Sequence, residues 1–230
     1  MAEIKKQRVI CPKCGSQIEI GIWDCIEMPY DIEQKESIMN QTFFKQTCES
    51  CKNILPIAYK CIYNDMEQKY MIWLVPRLGD DELEEINAYN AKLKKDNRLR
   101  LAQGGYRYRV VRNDRELREK VFIFDEGLDD RYIETMKTIY APVIKNKMPD
   151  NCKIMGIYFH KAPDGNGYQL VVVSDNQPPM STRVNMAIYE DMKEKLCTIV
   201  EEKTPEGLIP INVNWAVDIM TAPVDNGFTV

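Results

Sequence analysis

Two pairs of cysteines carry the clearest chemistry in this chain: Cys11-Pro12-Lys13-Cys14-Gly15 and Cys48-Glu49-Ser50-Cys51. A thiolate is a soft ligand, and two Cys-x-x-Cys turns supply four of them, the number a tetrahedral Zn2+ takes at about 2.3 Å from each sulfur. Neither pair fills that shell alone, so both must meet at one ion. In the first turn Pro12 presets φ and Gly15 can take positive φ, which lets backbone N–H groups face the sulfurs. The second has neither residue, and Asn53 is its candidate for the left-handed region. Thiol redox is the competing chemistry, in which a Cys-x-x-Cys opens a helix and a lowered pKa exposes a thiolate. Here strand-like runs follow each pair, Gln17-Ile18-Glu19-Ile20 and Ile54-Leu55-Pro56-Ile57. The expected ligand set is therefore Cys11, Cys14, Cys48 and Cys51 around one structural zinc ion, with iron as the alternative that soft ligands also accept.

The elements that position these sulfurs follow from the intervening sequence. About thirty residues separate the pairs, where a plain ribbon has 15–20, so the connection must hold an insertion. A long strand is expected over residues 17–26. A short helix follows over Asp31–Met39, with acidic residues in its first turn, and then a strand over Thr42–Thr47 that returns to the second pair. That is a zinc ribbon with a helix in its connection. Beyond it, Ile57–Tyr63 and Tyr70–Val75 read as a hairpin that extends the ribbon's sheet. Pro76 and Gly79 end it, and the expected domains are residues 1–78 and 79–230.

This arrangement resembles the CpXC family of bacteria and archaea, named for its Cys-Pro-x-Cys-like pairs. The likeness continues in order through Asn64-Asp65-Met66, Lys69-Tyr70-Met71-Ile72-Trp73-Leu74-Val75-Pro76, Tyr106-Arg107-Tyr108-Arg109-Val110-Val111 and Phe124-Asp125-Glu126-Gly127-Leu128-Asp129-Asp130-Arg131. It covers roughly residues 9 to 135. The second pair departs from it with Glu49 in place of Pro, and the chain from about residue 150 lies beyond it. The resemblance implies a metal-binding ribbon module and no particular activity.

In the second expected domain, Leu83, Ile86 and Leu93 share one helical face, with acids in the first turn and Lys92, Lys94 and Lys95 in the last, as the helix dipole favours. Gly104-Gly105 precede a strand, Tyr106–Arg112, with Arg107 and Arg109 on one side and Tyr106, Tyr108 and Val110 on the other. Asn113 and Glu116 form a capping-box relative ahead of Leu117, Val121 and Phe124. Asp129 caps the next helix, which Pro142 kinks or ends. The last third reads as strand, strand, helix, strand, around a Pro163–Gly167 hairpin turn and with Ile211–Ile219 as the closing strand. The fold class is α+β: an N-terminal zinc-ribbon-like β domain with a helical insertion, then an α+β domain ending in a ββαβ unit.

Composition narrows the function. A net charge of -4 argues against general polyanion binding, and residues 1–78 hold ten basic and ten acidic side chains, so the ribbon lacks a nucleic-acid footprint. No apolar run spans a membrane and no signal segment opens the chain, which places it in the cytoplasm with reduced thiols. Cys25, Cys61, Cys152 and Cys197 read as small buried hydrophobes. His160 is the only histidine, and a strand edge beside a turn is where such a residue is structural; without a second imidazole, Ser-His-Asp and Cys-His catalysis have no other base. The leading expectation is a non-enzymatic, zinc-stabilised module with a protein partner. One alternative is nucleic-acid or anionic-ligand binding through the seven arginines of residues 98–118, with Arg107, Arg109, Arg112, Tyr106 and Tyr108 as the contact set. A thiol redox or metal-dependent enzyme is the other.

Overall fold

The computed structural model describes residues 4–96 and 104–222, in two units. The first comprises residues 1–118 with 206–209, and the second 119–205 with 210–230.

Among the described residues, three small sheets build the first unit. Strand β1 (Ile4–Ile10) pairs antiparallel along its whole length with β2 (Gln17–Trp23), Ile10 opposite Gln17, so residues 11–16 form the tip of a hairpin. Ile18 and Ile20 alternate inward on β2, as a half-buried strand requires. After β3 (Cys25–Met28) and helix α1 (Ile32–Met39), β4 (Lys45–Thr47) and β5 (Ile54–Pro56) make a second hairpin, Thr47 opposite Ile54, with residues 48–53 at its tip. The helical insertion is thus present. The long strand expected over 17–26 is instead two strands in different sheets, divided at Asp24.

The third sheet runs β3-β6-β7-β8, with β6 (Cys61–Asp65), β7 (Tyr70–Leu74) and β8 (Arg107–Val111). The β6–β7 hairpin is antiparallel, while β3–β6 and β7–β8 are parallel. This hairpin therefore belongs to its own sheet and does not extend the ribbon. Parallel neighbours need a crossover, and α2 (Asp80–Lys95) lies in the one between β7 and β8. Ile86 and Leu93 of α2 are buried with Trp73, Val75, Tyr108, Val110 and Leu208. The domain boundary expected near residue 79 consequently falls inside the first unit. Residues 206–209 return to it as well: Asn90 donates from Nδ2 to the Leu208 carbonyl at 3.0 Å and accepts from the Leu208 N–H at 2.7 Å, and Ile209 bridges Arg109 in parallel.

The division between units falls within α3 (Asp114–Asp125). Its start is the expected capping box: Asn113 Oδ1 accepts from the Glu116 N–H at 2.9 Å, and the Glu116 carboxylate accepts from Asn113 Nδ2 and the Arg112 N–H, each at 2.7 Å. Gly127, at φ +70°, ends it in the left-handed region. Asp129 caps α4 (Asp130–Lys145) by accepting from the Arg131 N–H at 2.9 Å, and the helix runs through Pro142. Three strands follow in a meander, β11-β10-β9, with β9 (Ile154–Lys161), β10 (Tyr168–Ser174) and β11 (Met180–Arg183). Helices α5 (Met186–Lys203) and α6 (Val213–Thr221) both pack on α4.

The class is α+β, as expected, but the ending is not ββαβ. Met180–Arg183 adds a third strand, and the segment expected to close as a strand is a helix. Asn212 Oδ1 accepts from the N–H groups of Asn214 and Trp215 and so caps α6, whose buried Ala216 and Ile219 stand three apart.

Candidate metal centre

The two hairpin tips have the same backbone wiring. In the first, the Cys11 N–H donates to the Ser16 carbonyl and the Gly15 N–H to the Cys11 carbonyl, both at 2.9 Å. In the second, the Cys48 N–H donates to the Asn53 carbonyl and the Lys52 N–H to the Cys48 carbonyl, both at 2.8 Å. Gly15 has φ +74°, and Lys52, at the equivalent position, has φ +59°. The left-handed residue of the second turn is thus Lys52 and not Asn53. A non-glycine side chain there costs roughly 1–2 kcal/mol, which packing around the turn must offset. That packing is a small core of Ile18, Ile20 and Leu55 with Val9, Ile22 and Ile57 against it.

All four sulfurs lie within 4.8 Å of one another, and Cys11 Sγ–Cys51 Sγ and Cys14 Sγ–Cys48 Sγ are each 3.7 Å apart. A tetrahedron with metal–sulfur bonds of about 2.3 Å has edges of about 3.8 Å, so these separations fit the shell of a zinc ion. Cys11 and Cys48 are buried, Cys51 is half-buried and Cys14 is exposed.

Two of the four thiols are shifted in opposite directions. Cys14 is pushed down to about 6, first by the hydrogen bond it shares with the Ser16 hydroxyl, 3.3 Å from its sulfur, then by the Ser16 backbone and the Cys51 thiol. Cys51 goes the other way, to about 12: its Asn53 backbone hydrogen bond pulls it down, but burial and the other three thiols outweigh that. A divalent cation among the sulfurs removes this conflict by stabilising every thiolate at once.

The remaining cysteines lie apart from the group. Cys61 and Cys152 are buried and Cys25 half-buried, as small hydrophobes are, with Cys25 pushed up to about 11 by burial; Cys197 on α5 is exposed, against expectation. All eight are free thiols.

The arginine–tyrosine set at β8 is not one exposed face: Tyr108 and Arg109 are buried, Tyr106 and Arg107 half-buried and Arg112 exposed. Arg109 is 5% exposed and donates from Nη1 to the Tyr108 carbonyl at 2.7 Å, while Tyr108 is buried on the other face of the strand. Both faces of β8 are covered, so strand alternation does not present arginines outward here. Tyr106 stacks on Tyr108 at 5.8 Å and both join the core beneath α2. The Arg107 guanidinium stands 5.9 Å from the Tyr70 ring centre. Arg112 is exposed and donates from Nη2 to the Pro76 carbonyl at 3.5 Å. Arg98 and Arg100 lie outside the described residues. His160 is half-buried on β9, its ring 6.0 Å from that of Phe122.

One polar cluster escaped the sequence reading. Glu119, Lys120, Asp130, Glu134 and Lys137 are all buried in the second unit. Lys120 Nζ contacts Asp130 Oδ2 and Glu134 Oε1, each at 2.9 Å, and Lys137 Nζ contacts Glu134 Oε1 at 3.0 Å and Glu119 Oε1 at 2.7 Å. Glu119 also accepts the Phe159 N–H. Its only trace in the sequence is spacing: Asp130, Glu134 and Lys137 follow the stripe of Ile133 and Met136, where charge is costly without partners.

The fold and the site together define a protein in which two Cys-x-x-Cys hairpin tips converge on a centre able to hold a metal ion. Residues 9–137, more than half of the chain, match the family described as CpXC protein, and the protein belongs to that family. No curated protein and no solved structure matches the chain. Among the described residues, no helix is long and apolar enough to cross a membrane.

Proposed function

We propose that Cys11, Cys14, Cys48 and Cys51 hold one structural Zn2+ and that the chain is a non-enzymatic, zinc-ribbon interaction module of the reducing cytoplasm. The observation that carries this is the pair of 3.7 Å sulfur separations across the two tips, which match a tetrahedral edge. Four protein sulfurs complete such a shell, whereas a catalytic zinc keeps one position for water or substrate. Zinc therefore acts here on folding: it ties two hairpins that share only a small apolar core. The free state of all eight thiols suits a reducing compartment. A protein partner is supported by Ile10 and Ile54, 69% and 61% exposed at the strand ends beside the two turns, since large apolar side chains beside a rigid turn favour association.

Metal analysis of the purified chain tests the zinc assignment. One zinc per chain, lost together in Cys11→Ser and Cys48→Ser, is the expected result; a metal-free chain with the same hairpin fold would overturn it. The interaction role is tested by identifying and reconstituting the partner, with Ile10→Glu and Ile54→Glu expected to weaken the purified complex and leave zinc content unchanged.

A further inference from the structure

The four sulfurs differ in two ways that matter for oxidation: how far each is open to solvent, and which sulfur faces it. Cys14 is exposed, Cys51 half-buried, and Cys11 and Cys48 buried. The 3.7 Å contacts, Cys14–Cys48 and Cys11–Cys51, both run from one turn to the other. Each exposed or half-exposed sulfur thus faces a buried one on the opposite hairpin.

Resting on the zinc assignment above, we propose that this centre is a peroxide-sensitive switch in which a hydroperoxide converts the metal tie into disulfides between the turns, Cys14–Cys48 first and Cys11–Cys51 second, with release of the ion. The Cys14 thiolate, open to solvent, attacks the peroxide: an S–O bond forms as the O–O bond breaks, and the leaving alkoxide or hydroxide takes a proton from water. Cys14 is then a sulfenic acid. The Cys48 thiolate attacks that sulfur, the S–S bond forms and hydroxide leaves. Two electrons have passed from the two sulfurs to the peroxide oxygens. Two of its four ligands gone, the zinc ion dissociates, and a second peroxide carries Cys51 and Cys11 through the same two steps. Each disulfide draws together sulfurs that already face each other at 3.7 Å, closing them to about 2.05 Å across the two tips. The hairpins stay joined, by covalent links in place of the ion.

The sequence places a cleavage site between the members of each pair, Lys13 in the first and Glu49 in the second, so trypsin with a glutamate-specific protease separates all four cysteines. The zinc-loaded full chain, carrying Cys197→Ser to remove the exposed thiol outside the centre, is titrated with hydrogen peroxide. Zinc release is followed with a chromophoric chelator, and the unreduced peptides are mapped by mass spectrometry. Expected is loss of the ion with two thiols, the Cys14–Cys48 peptide appearing first and the Cys11–Cys51 peptide after it. Links within a turn, links between chains, sulfinic acid at Cys14 without a disulfide, or zinc retained in excess peroxide would each overturn the switch while leaving the structural zinc intact. Metal analysis before oxidation separates the two claims, since a chain that carries no zinc at the outset defeats the assignment itself.

Discussion

At each hairpin tip one residue takes the left-handed backbone, and comparing the two shows what each contributes. Nothing lies within 4 Å of the place a Gly15 side chain would occupy, so Gly15→Ala is penalised by its φ of +74° alone, about 1 kcal/mol. Lys52→Gly relieves the same strain but frees the unfolded chain, and a net gain of up to about 1 kcal/mol is expected. Chemical denaturation of the zinc-loaded forms measures both. Acidity acts here as well. Cys14, moved from 9.0 to about 6, has a folded value below its unfolded one, so its contribution is present above pH 9 and is lost as pH falls toward 6. Protons compete for that sulfur in the folded chain only as pH approaches and passes below about 6, so zinc affinity should fall there, and competition with a chelator at a series of pH values checks it. The four sulfurs were legible from spacing, because Cys-x-x-Cys leaves few other uses in a chain of this kind. Lys52 was not, because a lysine in the left-handed region has no signature of its own and is held there by the turn's hydrogen bonds.

Elements were legible where a cap or a strong period announced them. Asn113 and Asp129 were readable as helix starts, and Asn113→Ala should cost about 1 kcal/mol; Asp129→Ala should cost more, because Arg131 also loses its paired carboxylate, 2.7 Å away. Urea titration measures both. The segment 211–219 misled because its alternating apolar residues satisfy a strand as well as a short helix, and the Asn212 cap decides between them. The buried charges of α3 and α4 were hidden for a different reason, since pairing is a property of two helices and not of either alone. Burial pushes Glu134 up, but the Lys120 and Lys137 ammonium groups outweigh it and hold the carboxyl below 4.5. Glu119 shifts upward, with burial the larger influence. Glu134 therefore contributes above about pH 4.5 and loses that contribution in acid, whereas the upward shift of Glu119 makes its contribution fall as pH rises from about 4.5. Glu134→Ala is expected to cost about 3–5 kcal/mol at pH 7, with the difference from wild type shrinking below pH 4.5. Glu119→Gln should cost less, because the amide keeps the side chain's volume and an oxygen that can still accept the Phe159 N–H. Unfolding curves at a series of pH values separate the two.

For the whole molecule, two units imply two responses to losing the ion. Strong chelator should abolish amide protection in β1, β2, β4 and β5 and leave it in α4 and β10, which belong to a core without metal ligands; hydrogen exchange read by mass spectrometry resolves these segments. Equal loss in both units would show that the ion supports the entire chain. The α+β class was visible in the sequence, while the boundary was not, because β7 and β8 pair across the α2 crossover and no local composition records it. The return of residues 206–209 is more hidden still, since Asn90 and Leu208 are 118 residues apart. A ribosome must therefore have added Leu208 before the Asn90 side chain can meet its partner. Most of the second unit is synthesised in the interval, so the unit that begins the chain is also among the last to be completed, and no single cut can release it whole.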